Sequence, residues 1–385
     1  MRSGRIRVAR ARGGMARLAS GVALVTLFGG RAAAAPGHGG PESLTAEAAT
    51  SPAPARDFAE RRVLVMGTTL DVTVRLPERA RALAASEQAI AEVSRVEELL
   101  TTWREGGPLW RVNAAPAGEE VRLDSELGAL LAAVFAWSAR TGHAFDPTVL
   151  PLVRAWNIRG QGRIPPVAEL VAARASTGTE HFRLDRSRAT IVRLDPGAGI
   201  DEGAWGKGYA LDRAAERLHE AGAGNALLDL GGQVLALGVE ADGRPWTVAI
   251  AHPRDRRRPV VRLAVPSGHS LSTSGDSERS LRVGTRFVGH LLDPRTGAPA
   301  PDFGSVSVLS PSAFLADILS TAYFVLGPDD GLELSAVLRR QGVVHEVLFL
   351  LDGGGRLQAR VSPGFDALVL SADPSVAAGL SRPRP

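Results

Sequence analysis

Residues 62–74 read Arg62-Val63-Leu64-Val65-Met66-Gly67-Thr68-Thr69-Leu70-Asp71-Val72-Thr73-Val74. Val63, Val65, Leu70, Val72 and Val74 alternate with their neighbours on either side of the glycine, and a period of two is the side-chain spacing of a strand. The segment predicts two short strands, joined or interrupted at Gly67. Further along, Ala82 to Leu100 and Ser125 to Arg140 carry apolar residues at helical spacing, as does Tyr209 to Ala221. Strand patterns return at Ala226 to Leu230, Val234 to Leu237, Trp246 to Ala251 and Val260 to Val265, with hairpin punctuation between them. Leu315 to Leu326 predicts an apolar helix opened by Ser310-Pro311-Ser312 and closed by Gly327-Pro328. Val343 to Leu351 and Ala367 to Leu370 predict closing strands. Antiparallel pairs with interspersed helices argue for an α+β fold rather than a regular βαβ alternation.

The chain has 385 residues, 44% apolar and 22% charged, a balance that supports a sizeable core. A pI of about 10.3 invites a nucleic-acid partner. The position of the charge removes that support. Residues 1–35 hold seven arginines and no acid, so the net charge of +4 becomes 4 − 7 = −3 without them. Behind this basic front stand uncharged residues from Leu18 to Gly30 and the small-residue run Ala32 to Ala35 before Pro36, the order of a secretory signal peptide. The apolar run is too short to span a bilayer. Residues 36–58 are expected to be a flexible linker, on the Gly-, Pro- and Ala-rich composition from Pro36 to Arg56. A folded domain is expected over residues 59–372 and a disordered tail over 373–385, whose last dozen residues are rich in Pro, Ser and Arg. There is no cysteine, hence no disulfide, no thiolate ligand and no lipidated cysteine at the cleavage site. The mature protein is expected in the periplasm or at the outer face of the cytoplasmic membrane, not as a lipoprotein.

Of the 45 basic residues 44 are arginine, and Lys207 is the lone lysine, inside Gly203-Ala204-Trp205-Gly206-Lys207-Gly208. Glycines let backbone approach a ligand, and an ammonium supplies a point charge suited to phosphate or to a ring edge. A glycine-rich turn carrying a chance lysine is the plain alternative. The spacing is neither that of a Walker A loop nor that of a GxGxxG fingerprint.

Asp317 lies in Ala313-Phe314-Leu315-Ala316-Asp317-Ile318-Leu319-Ser320-Thr321, flanked by apolar residues and too deep in its helix to cap it. A buried carboxylate needs a cation, donors or a proton. Ser320 and Thr321 fall on the same side, and one carboxylate with neutral oxygens is how Mg²⁺ is held when phosphates complete its shell. A carboxylate hydrogen-bonded to Thr and backbone amides fits the residues equally. His290, in Phe287-Val288-Gly289-His290-Leu291-Leu292-Asp293-Pro294-Arg295-Thr296-Gly297, ends a strand before a turn, where it serves either as a general base or as a turn-satisfied histidine. Ser272-Thr273-Ser274-Gly275-Asp276, Leu228-Asp229-Leu230-Gly231-Gly232 and Thr141-Gly142-His143-Ala144-Phe145-Asp146-Pro147-Thr148 are polar loops, each weak alone.

Together, and in this order, these segments resemble the ApbE family of FAD:protein FMN transferases. The likeness runs from about Val63 to Leu332. It rests on Met66-Gly67-Thr68, Phe145-Asp146-Pro147-Thr148, Gly206-Lys207-Gly208-Tyr209-Ala210, Asp229-Leu230-Gly231-Gly232, Thr273-Ser274-Gly275-Asp276, His290 through Gly297 and Ala316 through Thr321. The resemblance implies an α+β fold of the T-fold type, FAD as substrate and Mg²⁺ beside its pyrophosphate. It implies that Met66, Trp103, Ala144, Phe145, Asp146, Asp201, Lys207 and the backbone of Leu291 line the FAD site. It also implies that Asp317 and Thr321, with the carbonyl of Ala204, hold the metal, with Ser320 close by. The chain departs from the family at Trp103, where tyrosine is common, and at Gly107-Pro108 in place of a Ser-Glu pair. Acceptor proteins are expected to be membrane-bound or exported redox subunits. A magnesium-dependent FAD pyrophosphatase and a non-catalytic flavin carrier are the rival expectations.

Overall fold

The computed structural model describes residues 58–276, 281–283, 286–354 and 356–380. The expected signal peptide and residues 36–57 of the expected linker lie outside them.

At the centre is an eight-stranded sheet. Its strands run in the order Phe58–Val65, Thr68–Arg75, Asn225–Leu230, Gln233–Leu237, His269–Gly275, Gly304–Ser310, Glu346–Asp352 and Leu357–Val361. Every neighbouring pair is antiparallel. The first hairpin settles the reading of Met66-Gly67: both residues have positive φ (51° and 70°), and Val65 pairs with Thr68. Two left-handed residues make the tight turn whose twist matches that of the strands it joins.

Strand alternation separates two cores. Leu70, Val72, Leu228, Leu230, Val306, Val308 and Phe349 face a helical layer that includes Arg79–Leu100, Gly206–Glu220 and Ala313–Arg340. Leu227, Val234, Ala236, Leu271, Leu309, Leu348 and Leu350 face the opposite way. There they pack on a small sheet ordered Val369–Ala372, Asp255–Val265, Trp246–His252. A third, smaller cluster joins Leu152, Ala155, Trp156 and Ala173 to Val288 and Leu292, so the segment before His290 is fixed to the helices Leu150–Ala155 and Val167–Ala175. Glu120–Arg122, Thr190–Arg193 and Phe182–Asp185 form a separate three-stranded sheet.

The apolar helix is longer than its sequence pattern indicates. Helical backbone leaves at Gly327 (φ 78°, ψ 177°) and resumes through Pro328 to Arg340. Gly327-Pro328 therefore ends one helix and starts the next, because proline suits a first helical turn.

The expectation of a disordered tail from residue 373 is corrected. Asp373 accepts the Ser375 amide at 2.9 Å, Pro374–Ala377 is helical, and Val376 and Leu380 are buried in the second core. Two apolar anchors outweigh the polar composition around them. Residues 381–385 lie outside the described residues.

Two helices meet at a glycine. A Cβ added to Gly208 would stand 2.2 Å from the Ala313 carbonyl oxygen and 2.8 Å from the Phe314 Cα. Beside this contact, Asp212 accepts from Ser312 Oγ (2.9 Å), the Ala313 amide (2.7 Å) and the Phe314 amide (3.0 Å). A carboxylate on one helix thus supplies acceptors to amides left open at the start of the other. Gly208→Ala should push the helices apart and cost about 1–3 kcal/mol, as overpacking does. Urea unfolding measures this, and a variant as stable as the parent would contradict the contact.

Candidate active site

The first turn of Gly206–Glu220 is seated by its predecessors. Trp205 is fully buried, with its indole N–H donating to the Asp201 carbonyl at 2.8 Å, and Asp201 Oδ1 accepts the Gly203 amide at 2.8 Å. This tight turn delivers Ala204 to the helix entrance and leaves Lys207 and Gly208 facing the helix that carries Asp317. The Gly208 amide donates to Asp317 Oδ2 at 3.0 Å across 109 residues of sequence. Lys207 Nζ stands 3.6 Å from Asp317 Oδ1 and donates to the Gly203 carbonyl at 3.3 Å. The lone lysine and the buried acid, unrelated in the chain, are one site. Asp317 is only 4% exposed, so a helix-terminal amide and an ammonium are the compensation that its burial demands.

Thr321 follows one turn after Asp317 and is half-buried. Ser320 is engaged elsewhere: its hydroxyl donates to the Asp317 carbonyl at 3.0 Å, accepts from Ser274 at 2.9 Å and lies 3.1 Å from Ser272 Oγ. Its bonds run to the backbone and the sheet rather than to the Asp317 carboxylate. No group of three or more His, Cys, Asp or Glu side chains suited to a metal occurs among the described residues. The donors that the family resemblance implies are one carboxylate, a hydroxyl and a carbonyl. Such an all-oxygen, low-charge set fits a hard cation that draws its other ligands from phosphate and water, and does not fit a closed protein cage.

A second group gathers around Asp201. Its amide donates to the Pro147 carbonyl at 2.7 Å, which joins this loop to the one bearing Asp146. Asp146 is buried and accepts from Ser138 Oγ (3.1 Å), the Thr148 amide (2.8 Å) and Thr148 Oγ1 (2.5 Å). Ala144 and Phe145 put their side chains into the core, so what they offer a ligand is backbone. Beside Asp146 opens a cavity of about 480 Å³, lined in part by His143, Arg174, Thr177, Glu180 and Arg295. Met66 reaches the entrance of the helix Gly206–Glu220 from the hairpin turn, its Cε 3.5 Å from the position of a Cβ on Gly206.

Sequence reasoning missed Arg159 and Glu202. Arg159 is ion-paired to Asp201 and to Glu202 (3.3 Å), and its guanidinium carbon lies 4.4 Å from the centre of the Trp103 ring. Burial, then the neighbouring Asp201, pushes Glu202 up to about 7. The adjacent acids Asp201-Glu202 were a usable signal, whereas Arg159 is one arginine among 44 and carried none.

The third group is His290 with Asp276. Ser272 and Ser274 tie the strand His269–Gly275 to the Asp317 helix, and Asp276 stands just past that strand's end. The His290 Nδ1 lies 3.7 Å from Asp276 Oδ1, and the His290 backbone amide also bonds this carboxyl. Leu291 spends its carbonyl on the Ala300 amide at 2.8 Å. Burial, then the charge of Asp302, raises Asp276 to about 6, against a smaller lowering by Arg254.

Asp276 therefore keeps its proton up to about pH 6 in the folded chain, whereas an unfolded aspartate loses it near about 3.9. Between these values the folded state binds more protons, so this group's contribution to stability falls as pH rises. Asp276→Asn should gain stability relative to the parent from about pH 4 to about pH 6 and level off above. Thermal melts across that range test this, and a difference that stays flat would contradict it.

Known proteins resemble both the sequence and the fold. The ApbE family profile matches residues 66–345. An FAD:protein FMN transferase of Salmonella typhimurium is 30% identical over 328 residues, 84% of this chain and 92% of that one. That of Escherichia coli strain K12 is 28% identical over 330 residues, 83% of this chain and 93% of that one. The crystal structure of the ApbE protein of Thermotoga maritima superposes with a TM-score of 0.74 at 29% identity, covering 81% of this chain and 99% of that one. The apo form of the flavinyl transferase ApbE of Pseudomonas stutzeri gives 0.70 at 29% identity, over 82% and 98%. The matched span opens at Met66 in the first hairpin turn and takes in the Asp201 turn, the Lys207–Asp317 contact and the His290 turn, and on these grounds the chain belongs to the ApbE family.

Proposed function

We propose that the protein is an FAD:protein FMN transferase, which moves FMN from FAD to a threonine or serine hydroxyl of an acceptor protein and releases AMP. The observation that carries the reading is the junction of Lys207, the Gly208 amide and Asp317, which sets an ammonium and a helix N-terminus beside a nearly buried carboxylate. The names of the ApbE relatives support the same reaction.

The donor set described above fits Mg²⁺, which Asp317, Thr321 and the Ala204 carbonyl would hold. Such an ion would supply neutralising charge as AMP leaves. The remaining work belongs to the chain. Met66, Trp103, the backbone of Ala144, Phe145 and Leu291, and Asp146, Asp201 and Lys207 bind and orient FAD. The acceptor oxygen forms a bond to the FMN-side phosphorus as the anhydride bond to AMP breaks. His290 takes the hydroxyl proton; its Nδ1 faces Asp276, which leaves Nε2 for the acceptor.

Export is part of the proposal and rests on the order of residues 1–35: basic, apolar, small. An enzyme at the outer face of the cytoplasmic membrane would serve membrane-bound or exported redox subunits.

Incubation with FAD, Mg²⁺ and an acceptor peptide, followed by mass spectrometry, should show acceptor carrying one FMN. Free FMN with the acceptor unmodified would make the protein a pyrophosphatase instead. Asp317→Ala should lose more than about a hundredfold in transfer rate while keeping its fold, the scale of several kcal/mol of metal-borne stabilisation. An unimpaired rate with magnesium present would refute the metal assignment. His290→Ala should slow transfer by about 10²–10⁴-fold with FAD affinity little changed. Equal losses in rate and affinity would speak against a base.

A further inference from the structure

Trp103 is 58% exposed, an unusual place for the largest apolar side chain, yet it is not loose. Its backbone amide donates to Thr101 Oγ1 at 3.3 Å, and the preceding Thr102 donates its hydroxyl to Glu202 Oε2 at 2.7 Å. The same Glu202 oxygen accepts from Arg159 at 3.3 Å, and Arg159 also bonds Asp201. The Arg159 guanidinium lies against the indole, 4.4 Å from the ring centre. Glu202 therefore clamps both the loop that carries the indole and the cation that stacks on it.

The base from which Arg159 extends is fixed as well. It stands in a turn closed by the Arg163 amide on the Trp156 carbonyl at 2.9 Å, and the buried Trp156 indole donates to the Gly297 carbonyl at 2.8 Å. The arginine side chain is 21% exposed and its two acid partners 10% and 11%. An ion pair alone would be served by any cation. Only a planar guanidinium can satisfy two carboxylates and also lie on a ring. The arrangement covers part of Trp103 and leaves more than half of it to solvent.

We propose that Arg159 is a positioning residue of the FAD site, holding the Trp103 indole as a preset flat wall on which the isoalloxazine ring stacks. The inference rests on the flavin-transfer reading and adds to it a residue that never touches the reacting atoms. Presetting the wall spares the ordering of an exposed side chain at the moment of binding. It acts on the ring-bearing half of the dinucleotide and leaves the AMP half alone.

The test is calorimetric binding of FAD and of AMP, without acceptor or added metal, to the parent, Arg159→Lys, Trp103→Leu and the double variant. Arg159→Lys retains the positive charge near Asp201 and Glu202 but loses the planar stack. It should melt with the parent, bind FAD roughly three- to thirtyfold more weakly, the range of a cation–π contact, and bind AMP unchanged. In the Trp103→Leu background the same change should alter FAD affinity less than about twofold, since the partner ring is gone. Unchanged FAD affinity in Arg159→Lys, equal weakening of AMP, or losses that simply multiply in the double variant would each overturn the role. A parent protein that binds no FAD either without or with added magnesium would instead overturn the functional reading beneath it.

Discussion

The site depends on how closely two helices approach at Gly208. No side chain larger than hydrogen fits against the Ala313 backbone there, and Asp212 caps the second helix from the first. Together these place the start of Gly206–Glu220 against the opening turns of Ala313–Arg340, with Asp317 facing the Gly208 amide. The arrangement is a compromise between packing and solvation. A carboxylate that is nearly buried costs several kcal/mol unless it is compensated, and the compensation comes from a helix N-terminus and a lysine rather than from a second side chain of its own helix. Lys207 Nζ stands beyond hydrogen-bond length from Oδ1, so that oxygen faces a charge without being saturated by it. An exchangeable cation suits such an oxygen better than it would suit a fully satisfied carboxylate.

The rest of the fold holds the other two groups in place around this contact. The eight-stranded sheet separates the helical layer from the small sheet, and its strand His269–Gly275 carries Ser272 and Ser274 to Ser320. That hydroxyl knot sets the strand end, hence Asp276 and His290, relative to the Asp317 helix. The loops of Asp146 and Asp201 are joined through the Pro147 carbonyl. Each group is fixed by backbone and buried polar bonds, the condition for a site that works by positioning and charge stabilisation.

Much of this was legible in the sequence, for reasons that differ by residue. The hairpin at Met66-Gly67, the helix Ser125–Arg140 and the strands flanking Gly231-Gly232 follow from periodicity and turn chemistry, which are local. Lys207 was conspicuous because every other basic residue is arginine, and Asp317 because its neighbours are apolar. Their meeting was not legible from local pattern; only the ordered family motifs implied it. Arg159 and Glu202 escaped because an arginine among many acquires meaning only when tertiary packing sets it on Trp103. The tail was misread because composition averages over Val376 and Leu380, whose burial depends on a small sheet built from distant strands. Ser320 shares a helix face with Asp317 by spacing, but the sheet's serines claim its hydroxyl, a competition that helical geometry alone does not display.

The central claim of the proposed function is that Asp317, beside Lys207, would hold a divalent ion when FAD is bound. Crystals of the protein grown with FAD and Mn²⁺ in place of Mg²⁺ address it most directly, because manganese is located by its anomalous scattering. The account requires one peak within coordination distance of the Asp317 carboxylate and of a diphosphate oxygen. A peak bound only elsewhere, or a well-ordered diphosphate at this place with no metal beside Asp317, would contradict it.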